Sequence, residues 1–96
     1  MRFISDEQFR AERRFTRAVA DWIRDRREAM GLTLKDMQRR GGMTYETARH
    51  IEDSRGRNLR LIELWRALRA LDAWDADHFV EILTLADEAT KGPDKE

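Results

Sequence analysis

The first thirty residues contain neither glycine nor proline, and the one proline of the chain is Pro93. A sheet needs turn residues at short intervals, and this stretch offers none, whereas Ala, Leu, Arg and Glu, the residues that lose least on entering a helix, are abundant. The reading is an all-α protein of about five helices with an extended N-terminal helix. With 96 residues there is material for about one domain and no separate catalytic one.

Capping chemistry and apolar spacing divide the chain. Ser5 with Gln8 three residues on is a capping box, so a first helix is expected from about Ser5 to about Met30, with Phe15, Val19, Trp22, Ile23 and Met30 along one face. Phe3, Ile4 and Phe9 lie off that stripe and cover either a partner subunit or this chain's own core. Gly31 suits a helix end. Thr33 with Asp36 begins a short second helix, which Gly41-Gly42 ends, and Leu34 and Met37 are its apolar contacts. Thr44 begins a third, from Tyr45 to about Asp53, with Ala48 and Ile51 inward. Residues 54–58 have turn chemistry and no apolar side chain, so they are read as a loop. A fourth helix follows from about Arg60 to Leu71 with Leu61, Leu64, Trp65, Leu68 and Leu71 inward, and a fifth from about Asp75 to Ala89 with Phe79, Ile82, Leu83 and Ala86 on one face. Residues 1–89 are thus one domain, and 90–96 a disordered tail.

The formal charge of zero hides a split. Residues 1–60 carry 15 Lys and Arg against 10 Asp and Glu, while residues 61–96 carry 4 against 9. One end suits phosphate and the other does not. Of the 19 basic residues 16 are Arg, whose planar fork matches phosphate and guanine edges. A solvated charged surface is the plainer account of the same composition.

The inventory argues against an enzyme. Ser5 and Ser54 are the only serines, cysteine is absent, and no glycine-rich phosphate loop or metal-ligand spacing occurs. No cofactor or metal is expected. His78 lies three residues after Asp75, a spacing that suits a salt bridge. Neither a disulfide framework nor a membrane span is available, and residues 1–9 lack the apolar core of a signal peptide, so the expected location is cytoplasmic.

The stretch from Gly31 to Glu52 resembles, without a gap, the Xre-type helix-turn-helix family of Cro and phage repressors. The likeness continues through Asn58 to Leu61 and Leu64 to Leu71, covering about residues 19–73. It implies a helix-turn-helix at 33–53, with Gly42 at a turn needing positive φ and residues 44–52 entering the DNA major groove. The positions it marks as base-reading are Tyr45, Glu46, Arg49 and His50. Glu46 suits cytosine N4, and Arg49 suits guanine or a phosphate. Phosphate contacts fall on Thr33, Arg39, Arg40, Thr44 and Thr47, and on Arg55, Arg57, Asn58 and Arg60 as a backbone clamp. The family also pairs Arg27 with Glu52 as a partly buried salt bridge, beside which Arg26 and Glu28 serve as ordinary surface charges.

The chain departs from the family pattern at three places. Gln38 replaces a small residue between the helices, Gly41 replaces Leu or Ala, and Leu34 replaces a phosphate-contacting Gln, which is expected to loosen inter-helix packing and remove one backbone contact.

Related regulators pair across a two-fold axis past this motif. Trp65, Trp74, Phe79, Ile82 and Leu83, in the acidic region of about 60–89, are therefore the expected homodimer anchors. The implied function is a transcriptional regulator binding a double-stranded operator, in a phage, restriction-modification or toxin-antitoxin context. The alternative is a protein-interaction module, such as an antitoxin that sequesters a toxin and keeps the helix-turn-helix only as scaffold.

Overall fold

The computed structural model describes residues 5–53 and 59–92 and is built of five α-helices, with no strand among those residues. They are α1 (Asp6–Ala29), α2 (Leu34–Gly41), α3 (Tyr45–Glu52), α4 (Leu61–Ala70) and α5 (Ala76–Thr90). No helix among the described residues is long and apolar enough to cross a membrane.

Each start has a local cause. Ser5, Thr44 and Asp75 accept a hydrogen bond from the backbone N–H three residues on, and Thr33 and Asp36 do so reciprocally, each accepting from the other's N–H. The ends are equally local. Gly31 and Gly42 take φ of 72° and 68°, the left-handed region that closes a helix without a Cβ conflict. After α4 the same role falls to Asp72, at φ 54°, while Ala73 N–H reaches back to Leu68 O at 2.8 Å.

The core draws on every helix. Val19 and Ile23 of α1, Met37 of α2, Ala48 and Ile51 of α3, Leu64, Ala67 and Leu68 of α4, and Ile82 and Ala86 of α5 are all buried, joined by Met43, Leu71 and Ala73 from the connections. Helix α1 packs along α5, α2 packs on α3 and α4, and α3 also touches α1 and α4. Small side chains at Ala48, Ala67 and Ala70 permit close helix approach.

Several expectations are corrected. Leu61 is 73 % exposed rather than inward, because the buried stripe of α4 runs through Leu64, Ala67 and Leu68 and on to Leu71 just past the helix end. Gln38 is exposed and does not stand between α2 and α3. Gly41 does not loosen the packing: it is buried, and a Cβ there would come within 2.9 Å of Arg66 O and 3.4 Å of Ala70 Cβ. Thr90 belongs to α5 instead of a tail, since Arg14 donates to the carbonyls of Ala89 and Thr90 at 3.1 and 2.9 Å. Residues 93–96, like Phe3 and Ile4, lie outside the described residues, while Phe9 is 51 % exposed with Arg13 over its ring.

Candidate nucleic-acid interface

A helix of eight residues cannot hold its own orientation in water, so α3 depends on what anchors it. At its N-terminus Gly42 and Met43 both donate to Gln38 O, forming a tight reversal from α2, and Thr44 then caps α3 by accepting from Thr47 N–H at 3.0 Å. The Thr44 hydroxyl also lies 3.0 Å from Thr47 Oγ1. Inward, Ala48 and Ile51 are almost fully buried. At its C-terminus Arg27 Nε donates to Glu52 Oε2 at 2.6 Å and Nη2 to Oε1 at 3.0 Å.

The third nitrogen of Arg27 donates to Leu32 O at 2.8 Å, so one guanidinium joins α1, the turn before α2 and the end of α3. The two side chains are 14 % and 10 % exposed. The hydrogen bond to Glu52 holds the Arg27 guanidinium above its ordinary pKa, outweighing the opposing effect of burial.

The outward face of α3 carries Tyr45, Glu46, Arg49 and His50, opposite the buried pair. Arg49 Nη2 donates to Glu46 Oε2 at 2.8 Å, and His50 Nε2 lies 3.2 Å from the same oxygen. The hydrogen bond from Arg49, then its charge, holds the Glu46 carboxyl below the usual carboxylate range and raises Arg49 in return. His50 is partly sunk, and its Nδ1 is buried without a hydrogen-bond partner. The face thus presents an ionised acceptor beside a planar donor fork, with a phenol at the helix start.

The other expected phosphate contacts separate into two groups. Thr33 is exposed, but its N–H and hydroxyl are both engaged by Asp36, and Arg39 pairs with Asp36 at 2.5 Å while remaining well exposed. Arg40 is mostly committed elsewhere: Nε donates to Ala70 O at 2.6 Å and Nη2 to Asp72 at 3.1 Å, which ties α2 to the end of α4. Arg60 is the N-cap residue of α4, and its N–H donates to the buried Glu63 at 3.1 Å. Arg55, Arg57 and Asn58 lie outside the described residues.

Past the helix-turn-helix unit, the expected dimer anchors also divide. Ile82 is 1 % exposed and belongs to this chain's own core, so it cannot meet a partner. Trp65 is half-buried with Arg69 stacked over its ring at 4.4 Å. Trp74 and Leu83 are exposed, and Phe79 is half-buried edge-on to Trp74. Val80, absent from the expected set, is 63 % exposed. Ala76, Phe79, Val80 and Leu83 make one stripe along α5, and the exposed Leu83 and Leu61 both line a groove of about 380 Å³ together with Phe15, Val19 and Leu64.

Sequence reasoning missed three structural contacts. Arg26 donates through Nε and Nη2 to Leu71 O, Arg40 caps α4, and Trp22 Nε1 donates to Glu81 at 3.0 Å. Their common signal is weak: a long side-chain donor that reaches another helix, whether at its end as for Arg26 and Arg40 or along its side as for Trp22, has no fixed spacing in sequence. Asp75 and His78 do form the expected local pair, Nδ1 to Oδ2 at 2.8 Å. No protein-family model, no curated protein and no solved structure matches the chain.

Proposed function

We propose that this protein is a sequence-specific, double-stranded-DNA-binding regulator of the Xre helix-turn-helix type, acting in the cytoplasm as a homodimer. The observation that carries the reading is the outward face of α3. Tyr45, Glu46, Arg49 and His50 lie opposite Ala48 and Ile51 on a helix pinned at both ends, by the Gly42–Thr44 turn and by Arg27–Glu52. Such a helix fits the major groove, about 12 Å wide, and offers hydrogen-bonding groups to base edges. The sequence resemblance over residues 19–73 supports the same assignment, as does the basic excess of residues 1–60.

In this reading the interface has two jobs. The α3 face reads bases, while Arg39, Arg60 and the basic residues Arg55 and Arg57 hold the phosphate backbone and fix register. Thr44 and Thr47 sit at the start of α3, where helix N–H groups favour a phosphate. The apolar stripe of α5 pairs two subunits so that each α3 meets one half-site.

Selection from a random duplex library, followed by titration of the selected sequence against salt, tests the proposal. A sequence-dependent complex whose log affinity falls linearly with log salt, by about 0.9 per phosphate contact, is the expected result. No enrichment and no salt dependence would overturn it. The second reading, a protein-interaction module that sequesters a toxin-like partner, is favoured by the exposed Trp74, Val80, Leu83 and Leu85. It predicts that substitutions on α3 leave function intact.

A further inference from the structure

The contact between Glu46 and Arg49 has two physical readings once α3 is placed on DNA: the carboxylate restrains the arginine, or the two act together. The chemistry of base-pair edges distinguishes them. A C·G pair shows, side by side in the major groove, one donor from cytosine N4 and two acceptors, guanine O6 and N7. No other pair offers two adjacent acceptors next to a donor. A reader that meets both bases needs an acceptor-only group beside a donor fork.

Helix α3 presents that pair. The Glu46 carboxylate is held in its ionised form and accepts only, while the Arg49 guanidinium keeps further N–H groups after donating Nη2 to Glu46 Oε2. Arg49 and His50 both approach Oε2, which leaves Glu46 Oε1 for another donor. The 2.8 Å contact holds the carboxylate and the guanidinium side by side, as the donor and the two acceptors of a C·G edge are side by side. Both side chains are more than half exposed, and the i, i+3 spacing sets them on adjacent turns of one face.

We infer that Glu46 and Arg49 read a single C·G base pair in each half-site as one unit, Glu46 accepting from cytosine N4 and Arg49 donating to guanine O6 and N7, with His50 steadying the carboxylate. The inference rests on the DNA-binding reading given above.

The test begins with the sequence selected by the unaltered protein. Its half-site should contain one C·G pair at which 7-deazaguanine, N4-methylcytosine or exchange for T·A each weakens binding by roughly 5- to 100-fold. Glu46→Gln and Arg49→Ala should each abolish preference at that pair and no other, with the double variant Glu46→Gln/Arg49→Ala losing little more than either single one. Failure to bind any duplex would overturn the DNA-binding reading itself. Binding with an intact consensus in both variants would leave that reading standing and overturn the inference. So would losses at two different base pairs that add in the double variant, or tighter binding of Glu46→Gln to every duplex with unchanged preference, which would make Glu46 a source of phosphate repulsion only.

Discussion

Gly41 lies so close to Arg66 that a Cβ on the glycine would stand 2.9 Å from the arginine's carbonyl oxygen. The same atom would collide with Met43 Cε, which can swing aside, but the backbone carbonyl is held inside α4. Gly41→Ala should therefore push α2 away from α4 and destabilise the protein by about 1–3 kcal/mol. Gly42→Ala is the informative comparison, because nothing lies within 4 Å of its Cβ position and only the positive φ of 68° opposes it. That strain costs about 1 kcal/mol. Urea unfolding of both variants checks the ordering; a neutral Gly41→Ala would mean that α2 and α4 are not packed this closely.

The Arg27–Glu52 pair should matter to stability and to docking together. Its side chains are almost covered, and removing one partner of a buried pair costs about 3–5 kcal/mol, against about 0–1 for an exposed one. Glu52→Gln and Arg27→Met are expected near the lower end of the buried range. Glu28→Gln is a suitable surface control, being 61 % exposed and 3.8 Å from Arg27. Arg26→Met is not, because Arg26 holds Leu71 O, so Arg24, 42 % exposed, takes its place. Thermal unfolding of Glu52→Gln, Arg27→Met, Glu28→Gln and Arg24→Met should separate the first two from the last two. Equal small effects would reduce the pair to a surface contact.

What the sequence made legible follows the range of each interaction. Helix starts at Ser5, Thr33, Thr44 and Asp75 rest on hydrogen bonds three residues long, and the ends at Gly31 and Gly42 on a conformation that glycine alone adopts freely, so spacing was sufficient. The outward set of α3 followed from Ala48 and Ile51 by helical geometry. Leu61 and Gly41 were misread for the opposite reason. Whether α4 buries Leu61 depends on how closely α1 and α5 approach it across the groove, and whether a glycine is a gap or a contact depends on the helix opposite it. Neither fact has a local signature. Ile82 was correctly placed on the apolar face of α5, yet the pattern does not say whether the covering surface belongs to the same chain or a second copy.

Two helix caps should give the protein a pH dependence at the acid end. The Asp36 carboxyl is held below its ordinary value by the Thr33 N–H first and Arg39 second, and Asp75 by the His78 N–H first and its imidazole second. A carboxylate with a depressed folded value adds stability above its unfolded value, about 4, and that contribution disappears as the pH falls through the folded value. Asn reproduces the neutral acid. The midpoint of thermal unfolding of Asp36→Asn/Asp75→Asn should lie below that of the unaltered protein at about pH 6, and the two should converge as the pH falls through the depressed folded values. A gap that stays constant over this range would show that the caps act through shape and not through charge.

Self-association should run through α5, on a narrower surface than the aromatic pattern suggested. Ala76, Phe79, Val80 and Leu83 recur at i, i+3, i+4 and i+7 on one side of the helix, with Trp74 at one end and Leu61 beyond Leu83 at the other. Val80 is 63 % exposed and sits in the middle of the stripe, whereas Leu85, 50 % exposed, lies on the side of α5 turned the other way. In a two-fold pairing the same patch meets itself, so one charge introduced at its centre becomes a pair of like charges with no water to screen them. Val80→Glu should therefore be monomeric in sedimentation at micromolar concentration, while Leu85→Glu behaves as the unaltered protein, and both keep their helical circular dichroism. The consequence reaches the proposed DNA contact, because paired subunits set two α3 helices about one duplex turn apart, ~34 Å. Val80→Glu should then bind a single half-site as well as before but lose the added affinity of two half-sites at that spacing. If Val80→Glu sediments with the unaltered protein, α5 is not the pairing surface; if both are monomers and both favour paired half-sites equally, two subunits meet on DNA without touching through this helix.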